Sequence, residues 1–208
     1  MRFRYVAILI ALLALALGGS ASISLAQVGG GNFDGIPVGP YPFGPPNAVI
    51  TSGDPGAVTV QPAGSEGGGA PPVPHGAGNV LCINALGGGP PIVVTFTFAC
   101  VVTPGGACFV KYDWSGAAWS PGAGLIVYQD GHSNNPSDVW QPPVGLPPTT
   151  ASGDNSESAG ECDGSSHTIT FVVMPQSRIY IDNLRCECIV VTPGIEPLRW
   201  DLIKDLYW

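Results

Sequence analysis

Val94-Thr95-Phe96-Thr97-Phe98-Ala99-Cys100 alternates apolar and small polar side chains with a period of two. Val94, Phe96, Phe98 and Cys100 share one parity, and Thr95, Thr97 and Ala99 share the other. Successive side chains of a strand point to opposite faces, so the run reads as a β-strand with its rings toward a core. Thr103-Pro104-Gly105-Gly106 follows as a turn signal. Beyond it Cys108, Val110, Tyr112 and Trp114 alternate with Phe109, Lys111 and Asp113. The spacing predicts a β-hairpin over residues 92–114.

The same pattern extends in both directions. Strands are expected at 48–52, 57–61, 79–84, 124–129, 167–174 and 178–190. From His167 onward, Ile169, Phe171 and Val173 alternate with Thr168, Thr170 and Val172. Met174-Pro175-Gln176-Ser177 breaks that run, and Arg178 to Leu184 resumes it as a second hairpin. The chain holds 30 Gly and 22 Pro, a level that composition alone assigns to disorder. Their arrangement says otherwise, because they cluster between short β-branched and aromatic runs, as loops between strands. No long segment inside the domain has helical period. The expected fold is an all-β antiparallel sandwich over residues 27–191. Residues 61–78 and 130–166 read as long loops. In the tail, 192–208, Leu198, Leu202 and Leu206 recur at helical spacing after Pro197, which predicts a short helix over 198–207.

Residues 1–26 have the layout of a secretory signal peptide. Arg2 and Arg4 give a positive start, Tyr5 to Leu17 is apolar and uncharged, and Ser24 and Ala26 are small. Cleavage is expected after Ala26. The apolar run is shorter than the roughly 20 residues that span a bilayer, and no second apolar segment follows, so no membrane anchor is expected. The formal net charge is −8, and removing Arg2 and Arg4 makes the chain more acidic still. Such a surface repels nucleic acid and anionic lipid. A secreted protein, extracellular or periplasmic, is the expectation.

Six cysteines in an exported chain favour disulfides over a metal site, since two close Cys-x-x-Cys pairs are lacking. Cys100 and Cys108 flank the 103–106 turn symmetrically and are the one assignable pair; Cys82, Cys162, Cys186 and Cys188 stay open. His75, His132 and His167 lie far apart and read as exposed loop histidines. Trp119 and Trp140 sit among Gly and Pro and are candidates for stacking on sugar rings. Trp114 has the parity of the core. The loop around Asp130 and His132 would add hydrogen bonds to a sugar, or is a polar turn. Asp113 and Asp130 would make a hydrolytic carboxylate pair if their strands were neighbours. Asp154, Glu157, Glu161 and Asp163 read as a solvated acidic loop.

Asn32-Phe33-Asp34-Gly35-Ile36-Pro37-Val38-Gly39 near the start carries a family resemblance. So does Ile179-Tyr180-Ile181-Asp182-Asn183-Leu184 near the end, with the Val94–Phe98 and Val110–Trp114 runs between them. Over residues 32–188 this order resembles the secreted jelly-roll domains of environmental bacteria, many of them sorted by a PEP-type C-terminal signal. Those domains are similar to galactose-binding-like and carbohydrate-binding-module sandwiches. The Pro-Glu-Pro motif and basic end of the sorting signal are not seen here, so the resemblance implies no membrane sorting. It implies that Asn32–Val38 and Ile179–Leu184 lie side by side in one sheet. It also implies that Asp34 and Asp182 share either a structural Ca²⁺ or a set of loop amides. The expected function is a non-catalytic exported sandwich binding carbohydrate or another cell-surface component. A structural envelope protein without a small ligand and a sandwich-fold glycan hydrolase or lyase are the alternatives.

Overall fold

The computed structural model describes residues 26–28, 33–43, 48–99, 102–130, 136–143 and 148–190. The strands among them form two antiparallel sheets. In chain order they are β1 (Ala26–Val28), β2 (Gly39–Pro40), β3 (Ala48–Ser52), β4 (Val58–Pro62), β5 (Asn79–Asn84), β6 (Ile92–Ala99), β7 (Gly106–Ala118), β8 (Leu125–Gln129), β9 (Asp138–Trp140), β10 (Thr149–Glu161), β11 (Ser166–Val173) and β12 (Ser177–Val190). The seven-stranded sheet runs β10-β7-β12-β5-β4-β2, with β1 laid on the far half of β12. The five-stranded sheet runs β3-β6-β11-β8-β9. This is the antiparallel sandwich that the alternation predicts.

The core lies between the sheets. β6 turns Val94, Phe96 and Phe98 inward, and β11 turns Ile169, Phe171 and Val173 inward. From the opposite sheet come Val110, Tyr112 and Trp114 of β7 and Ile179, Ile181 and Leu184 of β12. The Tyr112 and Phe171 rings meet edge to face across the gap at 5.2 Å, a favoured aromatic geometry. The opposite parity faces out, where the Thr95 and Thr170 hydroxyls meet at 2.9 Å.

Both expected hairpins are corrected. β6 lies in the five-stranded sheet and β7 in the seven-stranded one, so the 103–106 turn crosses between sheets. The same holds for β11 and β12 across Pro175-Gln176. The physical reason is that each strand of either pair has a strongly apolar face. Crossing sets those faces against each other, whereas a hairpin would set them side by side. The polar stretch 130–166 is also more ordered than a loop, since it contains β9 and the thirteen-residue β10. β10 lacks apolar alternation because it is held by its backbone ladder to β7, from Thr149 opposite Ala118 to Glu161 opposite Ala107.

The chain ends differ as well. Phe33–Gly35 is a 3₁₀ turn and not a strand, and Ile179–Ile181 is flanked by β7 and β5 instead. Phe33 still reaches the core, with its ring 6.1 Å from Tyr41 and 6.4 Å from Phe96. The 198–207 segment lies outside the described residues. So does Cys100, and with it the Cys100–Cys108 pairing. A disulfide joins Cys162 to Cys188, with Cα atoms 6.0 Å apart, and staples the end of β10 to β12. Such a bond fits an oxidising compartment and an exported protein. Cys82 is buried and unbridged, and burial pushes its thiol up to about 11, so it stays protonated at neutral pH. No helix among the described residues is long and apolar enough to cross a membrane.

Phe171→Ala is expected to lower stability by about 3–5 kcal/mol, and Thr170→Ala, one residue away on the outer face, by less than about 1 kcal/mol. Thermal unfolding of the two variants checks the parity of β11.

Candidate functional site

β12 carries one extra residue relative to β7 between Asp182 and Arg185. Asn183 takes it up with φ of 51°, a left-handed conformation that asparagine tolerates better than most residues. This bulge keeps Ile181 and Leu184 both inside. It also lines up two rows on the outer face of the seven-stranded sheet. Asp154 of β10, Asp113 of β7 and Asp182 of β12 are successive cross-strand partners. Beside them Ser156, Lys111 and Arg185 form the next row.

Like charges opposite each other in a sheet are destabilising, so the aspartate row needs partners. Asn183 Nδ2 donates to Asp113 Oδ2 at 2.7 Å and to the His75 carbonyl at 3.2 Å. His75 Nδ1 lies 3.5 Å from Asp113 Oδ2. Asp182 is 1% exposed and accepts the Asn183 amide at 2.8 Å and the Ala77 amide at 3.2 Å. Burial pushes its carboxyl above the ordinary value, the two amides pull it back, and the Asp34 and Asp113 charges add to the rise. One row further along the strand, Glu187 binds both cations: Lys111 Nζ at 2.5 Å and Arg185 Nε at 2.6 Å. Burial pushes Glu187 up, and the Lys111 and Arg185 contacts outweigh it, leaving the carboxyl below its ordinary value.

Residues 63–78 roof the other half of this face. Ala70 and Val73 pack on Val80, Cys82, Ala117 and Tyr180. Gly67 N donates to the Tyr180 hydroxyl at 2.6 Å, and the Ser115 hydroxyl donates to the Pro71 carbonyl. The roof stops at His75. Beyond it Asp113 and Asp154 of the first row, with Lys111, Ser156 and Arg185 of the second, line a cleft of about 540 Å³, with the His75 side chain 75% exposed at the rim; Asp182 stays buried and outside the cleft.

The residues singled out in the sequence are mostly elsewhere. Trp119 packs against the roof, where a Cβ on Gly68 would come within 2.5 Å of its ring. Trp140 leans on Trp114 at the sandwich edge, with ring centroids 5.3 Å apart. The two tryptophans therefore share no surface. Asp130 follows the last residue of β8 and its carboxylate accepts the Thr168 amide at 2.8 Å, while His132 lies outside the described residues. Asp113 and Asp130 sit on different sheets, which removes them as a carboxylate pair. His167 is buried, 8% exposed, and not an exposed loop histidine. Asp34 and Asp182 do converge on one segment: Asp34 Oδ1 accepts the Asn79 amide at 2.6 Å, two residues from the Ala77 amide on Asp182. Gly78 between them has φ of 68°, and a Cβ there would lie within 1.7 Å of Asp34 Oδ1.

The cleft residues Lys111, Asn183 and Arg185 were not singled out by their pattern in the sequence. A signal was present nonetheless. Lys111, Arg178 and Arg185 are the Lys and Arg among the described residues of an acidic chain, and all three lie on outward positions of β7 and β12.

Glu187→Gln is expected to lower stability at pH 7 by roughly 1–3 kcal/mol, because it leaves Lys111 and Arg185 without their shared anion. The stability Glu187 contributes is present above its unfolded-state pKa and is lost as pH falls through its depressed folded value. The difference between wild type and variant should therefore vanish in acid, as thermal melts across pH would show. Amide capping by Asp34 and Asp182 predicts a melting temperature unchanged by EGTA; a fall of several degrees would instead establish the calcium alternative.

No protein-family model matches the chain, and no curated protein matches it. Among solved structures it is similar to the enzymatically active domain of bacteriophage CBA120 tailspike protein 4, at 15% identity and a TM-score of 0.45. That match covers 78% of this chain and 21% of the other, so the chain spans about a fifth of the tailspike fragment. It is also similar to TmCBM61 in complex with β-1,4-galactotriose, at 12% identity over 67% of this chain and 86% of that one, with a TM-score of 0.36. The K1 cleaved adhesin domain of Lys-gingipain from Porphyromonas gingivalis matches at 12% identity over 68% and 96%, with a TM-score of 0.30. At these identities and TM-scores the likeness brings no ligand or activity with it.

Proposed function

We propose that this protein is an exported β-sandwich whose outer-face cleft binds carbohydrate or another component of a cell surface. The observation that carries the reading is the double row of polar side chains over β10, β7 and β12. A sugar presents neighbouring hydroxyls, each able to donate and accept. Carboxylate and guanidinium groups engage two such hydroxyls at once. The strands set these groups about 4.8 Å apart, and the Asn183 and Glu187 bonds hold them in place. Little side-chain freedom is then left to lose on binding. His75 offers a ring at the rim, while Trp119 and Trp140 serve the roof and the core.

Export in this reading begins with a signal peptide over residues 1–26, cleaved between Ala26 and Gln27, and delivers the chain to the periplasm or the outside. The Cys162–Cys188 bond supports an oxidising destination. The acidic balance of the chain disfavours nucleic acid and anionic lipid as partners.

A glycan array followed by titration calorimetry tests the cleft. Asp113→Ala and Arg185→Ala are each expected to weaken binding tenfold or more. Loss on changing Trp119 or Trp140 instead would move the site to the tryptophans. Turnover of the bound glycan by the purified chain would favour a hydrolase or lyase.

A further inference from the structure

Ser165, His167 and Asp130 form a continuous hydrogen-bonded chain at the start of β11. Ser165 Oγ lies 3.1 Å from His167 Nε2, and His167 Nδ1 lies 3.0 Å from Asp130 Oδ2. An ionised carboxylate can only accept, so the Nδ1 position carries the proton. That tautomer of the ring presents Nε2 to the Ser165 hydroxyl.

Each member is fixed by further contacts. Asp130 has φ of 48°, a left-handed conformation. Its Oδ1 accepts the Thr168 amide at 2.8 Å, and its own amide donates to the Thr168 carbonyl at 2.9 Å. The carboxylate is thereby locked to the backbone next to the histidine it orients. The His167 side chain is 10% exposed and is held within β11 opposite Phe98. Ser165 is exposed on the turn before the strand, and its amide donates to Asp163 Oδ1 at 2.8 Å. Hydrogen bonds from the Ser165 side chain and backbone hold the Asp163 carboxyl below its ordinary value; Asp163 is thus a second acceptor for the single Ser165 hydroxyl proton, which rotates to His167 Nε2 for transfer. The Cys162–Cys188 disulfide anchors the turn at its first residue. An oriented base beside an exposed hydroxyl is the arrangement that activates a serine nucleophile.

We propose that Ser165 is a nucleophile, with His167 as its general base and Asp130 as the positioning residue, and that this site hydrolyses carboxylic esters. Ser165 Oγ attacks the ester carbonyl carbon while His167 Nε2 takes the hydroxyl proton. The tetrahedral intermediate expels the alcohol, which receives that proton from Nε2. The acyl group is left on Ser165. Water then attacks the acyl carbon, giving a proton to Nε2, and collapse releases the carboxylic acid as the proton returns to Ser165 Oγ. Ser165 stands on an open turn, so a bulky alcohol can remain in solvent, and an O-acylated polymer is the class of substrate that fits. The inference is independent of the outer-face cleft.

The full chain, with its disulfide intact, is treated with a fluorophosphonate probe and separately with p-nitrophenyl acetate. The expected result is an adduct mapped by mass spectrometry to Ser165 in wild type. Ser165→Ala should lose the adduct and hydrolyse the ester at least about 100-fold more slowly, the usual scale for losing base-assisted attack. Ser165 is exposed, so this change leaves the fold intact. His167→Asn should likewise lose labelling. Asp130→Asn should slow hydrolysis and alter its pH profile, which a merely structural role would not do. Ser166→Ala, also exposed and one residue on, should behave as wild type. Wild type without an adduct at Ser165, or Ser165→Ala hydrolysing the ester at the wild-type rate, would overturn the proposal.

Discussion

The parity of β12 constrains everything around it. Ile179 and Ile181 point inward on odd positions, and Leu184, Cys186 and Cys188 point inward on even ones. A regular strand cannot bury both sets, because its side chains alternate strictly and a slip of one residue turns a whole half outward. One surplus residue must be stored, and Asn183 stores it. The same irregularity that preserves the core sets Arg185 opposite Lys111 and swings the Asn183 amide between Asp113 and the His75 carbonyl. Core and cleft are two results of one local kink.

The connections divide the labour between the sheets. Among the described strands the chain passes from one layer to the other between β2 and β3, β3 and β4, β5 and β6, β6 and β7, β7 and β8, β9 and β10, β10 and β11, and β11 and β12. Every such crossing places a polar turn at an end of the sandwich. The turn before β11, with Ser165, and the end of β8, with Asp130, meet at one such end. The roof over residues 63–78 does the opposite for the outer face: it removes water from Tyr180 and Ser115 and confines the polar surface to the strip beyond His75.

Most of the sandwich was legible in the alternation of single residues. The strands at 48–52, 79–84 and 167–173 follow directly from β-branched and aromatic side chains of one parity. β10 was not legible, because Thr149–Glu161 is Ser, Gly, Asn and acid with no buried apolar set, and only pairing with β7 makes it a strand. Hairpin and crossing were also indistinguishable locally: the same strand-turn-strand signal serves both, and the choice depends on which apolar faces find each other in three dimensions. The candidate cleft was hidden for a related reason. Lys111 and Asp113 looked like the solvated side of a strand, and their meaning appears only when Asp154 and Arg185, forty or more residues away in the chain, come alongside. Asp34 and Asp182 accept amides of one segment, Asn79 and Ala77, and the strand pairing invoked to bring them together is not the one that does so.

β10 is the last strand of its sheet among the described residues, and its outer backbone edge runs over thirteen residues. An open edge of that length is a template for another strand. Its composition supplies the countermeasure: Asp154, Glu157 and Glu161 stand along Thr149–Glu161 with no Lys or Arg among them. Two copies meeting edge to edge would set acid against acid.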